Sequence, residues 1–359
     1  MGDGRPLNLV ILPGDGIGPE IAAVAVDALT RLNERFSLAL DIEQHDIGLT
    51  SLGRSGSTLP GKVLEAARAA DGVVLGPVST YEYPPVEQGG INPSAAIRIA
   101  LDLYANIRPA RTRPGVPCVA KRMDLVVVRE NTEGFYADRN MHSGSAEFLA
   151  TPDTALAIRK ITRQGSRRIA RSAFELARRR RRKVTAVHKA NVLRLSDGLF
   201  LEEVRAVASD YPQVALEERI VDAMAALLIR QPEDPDVIVT TNMFGDILSD
   251  QTGEMAGGLG LAPALNAGDG HAVAQATHGS APDIAGQGIA NPSALLLSVA
   301  MLLEWLGARH SRGDVIEASN ALRTAVDQAL ADPLSHTPDI GGNATTTSLG
   351  AAVVKALMR

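Results

Sequence analysis

The chain has 359 residues, 45% hydrophobic and 21% charged, with a formal net charge of −5. That length implies about two domains and a core large enough to hold without disulfides or metals, and the profile excludes a disordered chain, a collagen and a coiled coil. Mild acidity with 3% aromatics gives no global reason to bind nucleic acid.

The first predicted element is a strand over the apolar run Leu7–Leu12, ending at Pro13-Gly14-Asp15-Gly16. A start of this kind, rather than a basic segment leading into an apolar one, does not read as a secretion signal. A helix follows from Pro19 to about Leu32, with proline in its favoured first turn. The loop Gly14–Gly18 lies between strand and helix but is not GxGxxG. No acidic residue clearly sits at a strand end about twenty residues on, so it is a tight turn that either touches a ligand or does not. Val73-Val74-Leu75-Gly76, Asp124–Arg129, Lys183–His188 and Asp236–Thr240 are further strand candidates. Such near-continuous Val/Ile runs spaced by helices suggest an α/β fold with the sheet covered on both faces. The lone cysteine, Cys118, excludes an internal disulfide or a CxxC zinc site and suits a reducing, cytoplasmic compartment. Arg178–Lys183 is six cations in a row, read as a solvated helix end and turn rather than an RNA patch. The most apolar stretch, Ala294–Leu306, is interrupted by Ser298 and Glu304, so no membrane span is expected.

Several side chains carry chemistry. Arg98, Arg108 and Arg129 lie in or beside apolar, sheet-like context, where a guanidinium is costly unless it meets an anion. That anion is either a ligand carboxylate or an internal partner such as Asp102, Glu130 or Glu133. Asp246 and Asp250 share one helix face at i, i+4. Their repulsion points to a hard cation, Mg²⁺ or Mn²⁺, with Asp222 as a third ligand; the alternative is a solvated acidic face. Lys189, at the end of a buried strand, is a candidate general base, and Tyr136 a proton donor. The small-residue loop His278–Gly286 lets a ligand approach the backbone, and Asn291-Pro292 opens the helix that follows.

Taken together, LPGDGIGPE, LDLYANIRP, VVVRENTEGFY, HKANVL, TTNMFGDILSD, HGSAPDIAG and TPDIGGNATT resemble, in order and over essentially the whole chain, the decarboxylating β-hydroxyacid dehydrogenases. ANIRPARTRPG, HKANVLRLSDGLF and GGLGLAPALNAGD look most like the homoisocitrate and NAD-type isocitrate branches. The resemblance implies a non-Rossmann α/β fold of the isocitrate/isopropylmalate dehydrogenase kind. It implies two domains, a large one from residues 1–103 and 257–359 and a small one from 104–256. It also implies a homodimer, or a higher oligomer, with shared sites. On these positions Arg98, Arg108 and Arg129 match a clamp on the malate carboxylates, and Tyr136 a proton donor to the enol. Lys189 matches the group that removes the hydroxyl proton, reaching in from the other subunit with Asn191 beside it. Asp246 and Asp250 match metal ligands, and Asp222 a ligand and substrate neighbour from the partner.

Asp283 matches the position where NAD-using members carry an acid, which repels an NADP 2′-phosphate. His278, Gly279, Ser280, Ala281 and Asn291 match other cofactor contacts, while Gln275 departs from the acid of isopropylmalate-type members. Asn92 and Ser94 stand where isopropylmalate enzymes tend to place leucines, which tips the expected substrate towards isocitrate or homoisocitrate. Pro93 and the loop Ser79–Gln88 depart from every branch; Glu82 and Glu87 within it disfavour an anionic arm if they face it. The alternatives are 3-isopropylmalate, D-malate or tartrate as substrate, and, from another class, a silent regulatory subunit. Such subunits typically lose the metal acids, Lys or Tyr, all of which are present here.

Overall fold

The computed structural model describes residues 5–136, 141 and 146–358. In chain order the strands are β1 (Leu7–Leu12), β2 (Leu40–Gln44), β3 (Gly72–Leu75), β4 (Ala105–Arg111), β5 (Asp124–Glu130), β6 (Glu147–Thr151), β7 (Thr154–Ala157), β8 (Lys183–His188), β9 (Ala215–Ile220), β10 (Val237–Thr240), β11 (Leu265–Ala267) and β12 (Ala272–Ala274). The helices are α1 (Gly18–Phe36), α2 (Gly48–Ser55), α3 (Gly61–Ala69), α4 (Pro93–Ala100), α5 (Arg163–Arg178), α6 (Ser196–Ala208), α7 (Val221–Arg230), α8 (Asn242–Met255), α9 (Ser293–Arg309), α10 (Gly313–Leu330) and α11 (Thr346–Leu357).

Ten strands form one mixed sheet in the order β2-β1-β3-β12-β11-β4-β5-β10-β8-β9, and β6-β7 is a separate hairpin. The two wings pair in parallel, but β12-β11, β11-β4 and β4-β5 are antiparallel. The register of this centre sets Asn266 opposite Asn106 and Asn106 opposite Arg129. Directly opposed residues share a face of the sheet, so these three polar side chains form a row across it.

The strands read from Val/Ile runs appear where expected. β1 and β8 have the anticipated bounds, β5 runs one residue further, and β10 starts one later. The short strands β11 and β12 lacked any such signal, because a three-residue strand has too little periodicity to read. α9 is buried nearly all round between the sheet and α10, which accounts for its apolar sequence. Among the described residues no helix is long and apolar enough to cross a membrane. The hydrophobic interior is divided. One cluster joins residues 7–40, Val74 and Val116 to 261–357, whereas another draws only on 105–239.

The cationic run is a correction in part. It does end α5 and turn into β8, but Arg180 and Arg181 are not simply solvated. Arg180 Nε donates to the buried Asp236 carboxylate at 2.8 Å, and Arg181 Nη1 to the Glu233 carbonyl at 2.8 Å. These bonds clamp the turn to the segment entering β10.

Candidate active site

A cleft of about 210 Å³ opens beside the antiparallel centre of the sheet, and Asn92, Ser94, Arg98, Arg108, His278 and Gly279 all line it. Asn92 caps α4: its Oδ1 accepts from Ala95 N at 3.0 Å, and its Nδ2 takes no part in the cap. Ser94 and Arg98 follow one turn apart on the same helix face. Glu82 and Glu87 are exposed and absent from the lining, where Thr80 stands instead. The condition under which they would repel an anionic arm is therefore not met.

Beside the cleft Arg108 and Arg129 meet Asp246 and Asp250. Arg108 lies on β4 and Arg129 on β5, both buried; the two acids project from one face of α8. Arg108 Nη1 is 3.1 Å from Oδ1 of Asp246, 3.1 Å from Oδ1 of Asp250 and 2.8 Å from Ser249 Oγ. Arg129 pairs with Asp246 and donates through Nε to Asn242 Oδ1 at 2.9 Å. The Tyr136 hydroxyl reaches Asp246 Oδ2 at 3.3 Å. The anions met by Arg108 and Arg129 are thus the α8 acids, not the nearer-in-sequence acids considered from spacing. Asp102 pairs with Arg168, Glu130 accepts from Thr132 and Glu133, and Glu133 accepts from Thr162.

Electrostatics separate the two acids. Burial opposes ionisation of Asp246, but Arg129, Arg108 and Arg98 outweigh it and hold the carboxyl below its usual value. Burial lifts Asp250 above its usual value, with Arg108 opposing and Asp246 adding to the rise. Burial and the nearby Arg108 pull Arg129 down to about 10, so it stays cationic at neutral pH. Asp246 and Asp250 together present hard carboxylate oxygens suited to Mg²⁺ or Mn²⁺. Among the described residues, however, no three His, Cys, Asp or Glu side chains converge to hold a metal. The pair would supply two carboxylates of such an ion's shell, with water, substrate or a further side chain completing it.

Lys189 and Asp222 form a second group. The Lys189 ammonium is ion-paired with the exposed Asp222 at the start of α7. The neighbour of Lys189 is an anion and its side chain is part-exposed. Asn191 beside it is exposed. Behind them the fully buried Asp197 accepts from Lys189 N at 2.6 Å and pairs with Arg159 at 2.6 Å.

The loop 278–286 packs on the Gly-rich turn. Ser280 O accepts from Ile17 N at 2.8 Å, and a Cβ on Gly16 (φ +57°) would stand 2.0 Å from that oxygen. The turn is therefore a packing feature against this loop. Asp15 within it accepts from Leu49 N, Ser79 N and the Tyr83 hydroxyl, which straps down the start of the unusual 79–88 segment. Ser280 Oγ is 2.8 Å from Ser79 Oγ; Ala281 is half-buried with φ +41°; Asp283 is exposed. Asn291 is buried and donates to Asp339 Oδ2 at 3.0 Å. His278 bonds the Gly279 carbonyl through Nδ1, its Nε2 is buried without a hydrogen-bond partner, and burial lowers its pKa. An orphaned buried imidazole nitrogen next to an open glycine fits a loop built to receive a polar ligand.

Sequence reasoning missed Asn106, Asn266, Asn242 and Ser249. Asn106 was within reach, since it lies two residues before Arg108 on one strand and so on the same face. Ser249 completes the i, i+3, i+4 face of α8 with Asp246 and Asp250.

Residues 8–353 match the family model described as isocitrate/isopropylmalate dehydrogenase. The chain is 42% identical to the isocitrate/homoisocitrate dehydrogenase of Thermus thermophilus, covering 98% of each chain. It is 40% identical to a 3-isopropylmalate dehydrogenase of Methanothermobacter thermautotrophicus, over 98% of this chain and 99% of that one. Among solved structures, isocitrate dehydrogenase from Methylococcus capsulatus aligns with a TM-score of 0.86 at 39% identity, covering 98% of this chain and all of that one.

Proposed function

The chain belongs to the isocitrate/isopropylmalate dehydrogenase family, oxidoreductases acting on a CH–OH group, and on that premise we propose that it carries out NAD-dependent oxidative decarboxylation of isocitrate or homoisocitrate, yielding the 2-oxo acid and CO₂. The observation that carries this reading is one cleft that gathers these residues. Asn92, Ser94, Arg98 and Arg108 line it together with His278 and Gly279, and its lining contains no leucine. Near-equal identity to relatives named for different acids does not discriminate among them. The polar lining favours an arm that accepts hydrogen bonds over an isopropyl group.

In this reading Arg98, Arg108 and Arg129 hold the substrate carboxylates, and their charge offsets that of the acid as it enters. Asp246 and Asp250 hold Mg²⁺ or Mn²⁺, with Asp222 of a second copy completing the set. Lys189 of that second copy takes the hydroxyl proton, and Asn191 contacts the substrate beside it. Tyr136 returns a proton at C3 after CO₂ leaves. Bound there, the cation supplies Lewis-acid polarisation and the nicotinamide ring a hydride acceptor. His278, Gly279, Ser280, Ala281 and Asn291 line the cofactor side, and Asp283 selects NAD. The homodimer is supported by the Lys189–Asp222 pair standing outside the Asp246–Asp250 pair, since among the described residues no third acid joins those two into a metal-binding group. The division into 1–103 with 257–359 and 104–256 is supported by the split of the hydrophobic clusters, which only Val116 crosses. Residues 1–4 and 359, its outer ends, lie outside the described residues.

The test is NADH formation by the purified protein with isocitrate, homoisocitrate, 3-isopropylmalate, D-malate and tartrate, with Mg²⁺ or Mn²⁺ and with chelator. Isocitrate or homoisocitrate should turn over fastest, and chelator should abolish the rate. No turnover across the panel would overturn the reaction; a strong preference for 3-isopropylmalate would overturn the reading of Asn92 and Ser94.

A further inference from the structure

Behind the cleft runs a chain of side-chain amides whose direction has one physical origin. Arg108 is a donor only, since a guanidinium has no acceptor. Its Nε donates to Asn106 Oδ1 at 2.7 Å, which forces the Nδ2 of Asn106 the other way. That Nδ2 donates to Asn266 Oδ1 at 2.7 Å, and Asn131 Nδ2 donates to the same oxygen at 3.0 Å. With its oxygen taken twice, Asn266 turns its own Nδ2 to Gln275 Oε1, at 3.4 Å. Ser94 Oγ donates to that same Oε1 at 3.1 Å. Asn106 and Asn266 are 1% exposed and Gln275 9%, so the links are sheltered from water, and Gln275 lies on the cleft wall.

We infer that Gln275 is a ligand-contacting donor, its amide polarised by Arg108 through Asn106 and Asn266 so that its NH₂ faces the cleft. Its Oε1 is committed to Ser94 and Asn266, which leaves Nε2 as the polar group it offers. A donor at this point suits an acceptor oxygen on a ligand lying between Ser94 and His278. Two oxygens have that chemistry, a carboxylate on the third arm of the acid and the carboxamide carbonyl of the nicotinamide. The inference rests on the proposed reaction for the identity of those ligands. The hydrogen-bond direction follows from the guanidinium alone.

Two substitutions at different positions make the same physical change. Gln275→Glu keeps the size of the side chain and replaces the NH₂ with a carboxylate oxygen. Asn266→Asp leaves Gln275 in place but puts an acceptor opposite it, so the Gln275 amide inverts and presents its oxygen to the cleft. Both proteins are compared with the unaltered chain by thermal melting and by KM for the acid and for the dinucleotide. The expected result is a rise of at least about tenfold in one KM, the same one in both variants, the size expected when a donor facing the ligand oxygen is replaced by an acceptor that repels it. A rise confined to the acid assigns the acceptor to its third arm; a rise confined to the dinucleotide assigns it to the carboxamide. Both KM values within twofold of the original, in a Gln275→Glu protein that melts normally, overturn the assignment while leaving the reaction standing. An effect in Gln275→Glu without one in a normally melting Asn266→Asp protein overturns the relay. If the unaltered chain turns over no acid, the reaction itself has failed. Gln275 is then judged by titration with NADH and with each acid of the panel, where affinities unchanged for all of them between the original and Gln275→Glu proteins overturn its role.

Discussion

The Arg108 guanidinium and the Asp250 carboxylate, 142 positions apart in the chain, meet at 3.1 Å at the edge of the cleft. Arg108 is almost wholly buried, whereas the Asp250 side chain is 48% exposed. A divalent cation bound at this point would share its carboxylate with an arginine. Asp250→Asn should lower Mn²⁺ affinity and turnover together, each by at least about tenfold, while its half-exposed position leaves the fold intact. Calorimetric titration with Mn²⁺ beside a thermal melt checks this. Unchanged metal affinity would remove Asp250 from the ligand set.

The pH dependence of that binding has a defined sign. Burial raises the Asp250 carboxyl above its usual value, Arg108 opposes the rise, and Asp246 adds to it. A protonated carboxyl cannot ligate, so cation affinity should begin to fall at a higher pH than for an ordinary aspartate. For stability the same shift runs the other way. The folded pKa lies above the unfolded one, so Asp250 costs stability as pH rises through that window. Mn²⁺ titrations over a pH series should show the early decline, and Asp250→Asn should abolish it. Affinity held constant down to the range of free aspartate would contradict the shift.

Tyr83 should act as a strap on the segment that fronts the cleft. Burial and the Asp15 carboxylate push its phenol well above the usual range, so the hydroxyl keeps donating in alkaline solution. Tyr83→Phe leaves Asp15 with its two backbone donors and should cost about 1–2 kcal/mol. Urea denaturation measures the cost, and an unmoved midpoint would show that the contact holds nothing.

Asp197 is the buried anchor beneath Lys189. Its side chain is fully buried and that of Arg159 is 8% exposed. Removing one partner strands the other charge away from water, so Asp197→Ala should destabilise the fold by about 3–5 kcal/mol. Asp197→Asn, which keeps the bond from Lys189 N, should cost less. Equal losses in denaturant from the two variants would show that the charge on Asp197 is immaterial.

Asp283 stands exposed on the 278–286 loop, with its carbonyl held by Gln287 Nε2 at 2.8 Å. Asp283→Lys removes a repulsion towards a 2′-phosphate and adds an attraction. The ratio of kcat/KM for NADP over NAD should rise roughly tenfold. A constant ratio would locate the discrimination elsewhere.

Much of this molecule is legible along the chain. β1, β8 and the helix α1 announce themselves because continuous Val/Ile runs and a first-turn proline are local signals. The i, i+4 spacing of Asp246 and Asp250 guarantees a shared helix face wherever that helix packs. Other features are not local. Sequence distance suggested Asp102, Glu130 and Glu133 as arginine partners, yet the chain brings Arg108 and Arg129 to α8 instead. Nothing near Gln275 says that Ser94 will lie 3.1 Å away.

Residue type and spacing along single elements settled by themselves which side chains carry charge and which faces they share, and the ordered motifs along the whole chain carried the resemblance to the family. Which charges meet, and which way the amides between Arg108 and Gln275 point, depended on antiparallel strands setting Asn266 across from Asn106. Pairing between distant strands is a property of the closed sheet, and hydrogen-bond direction is inherited from whichever donor-only group ends the chain of contacts.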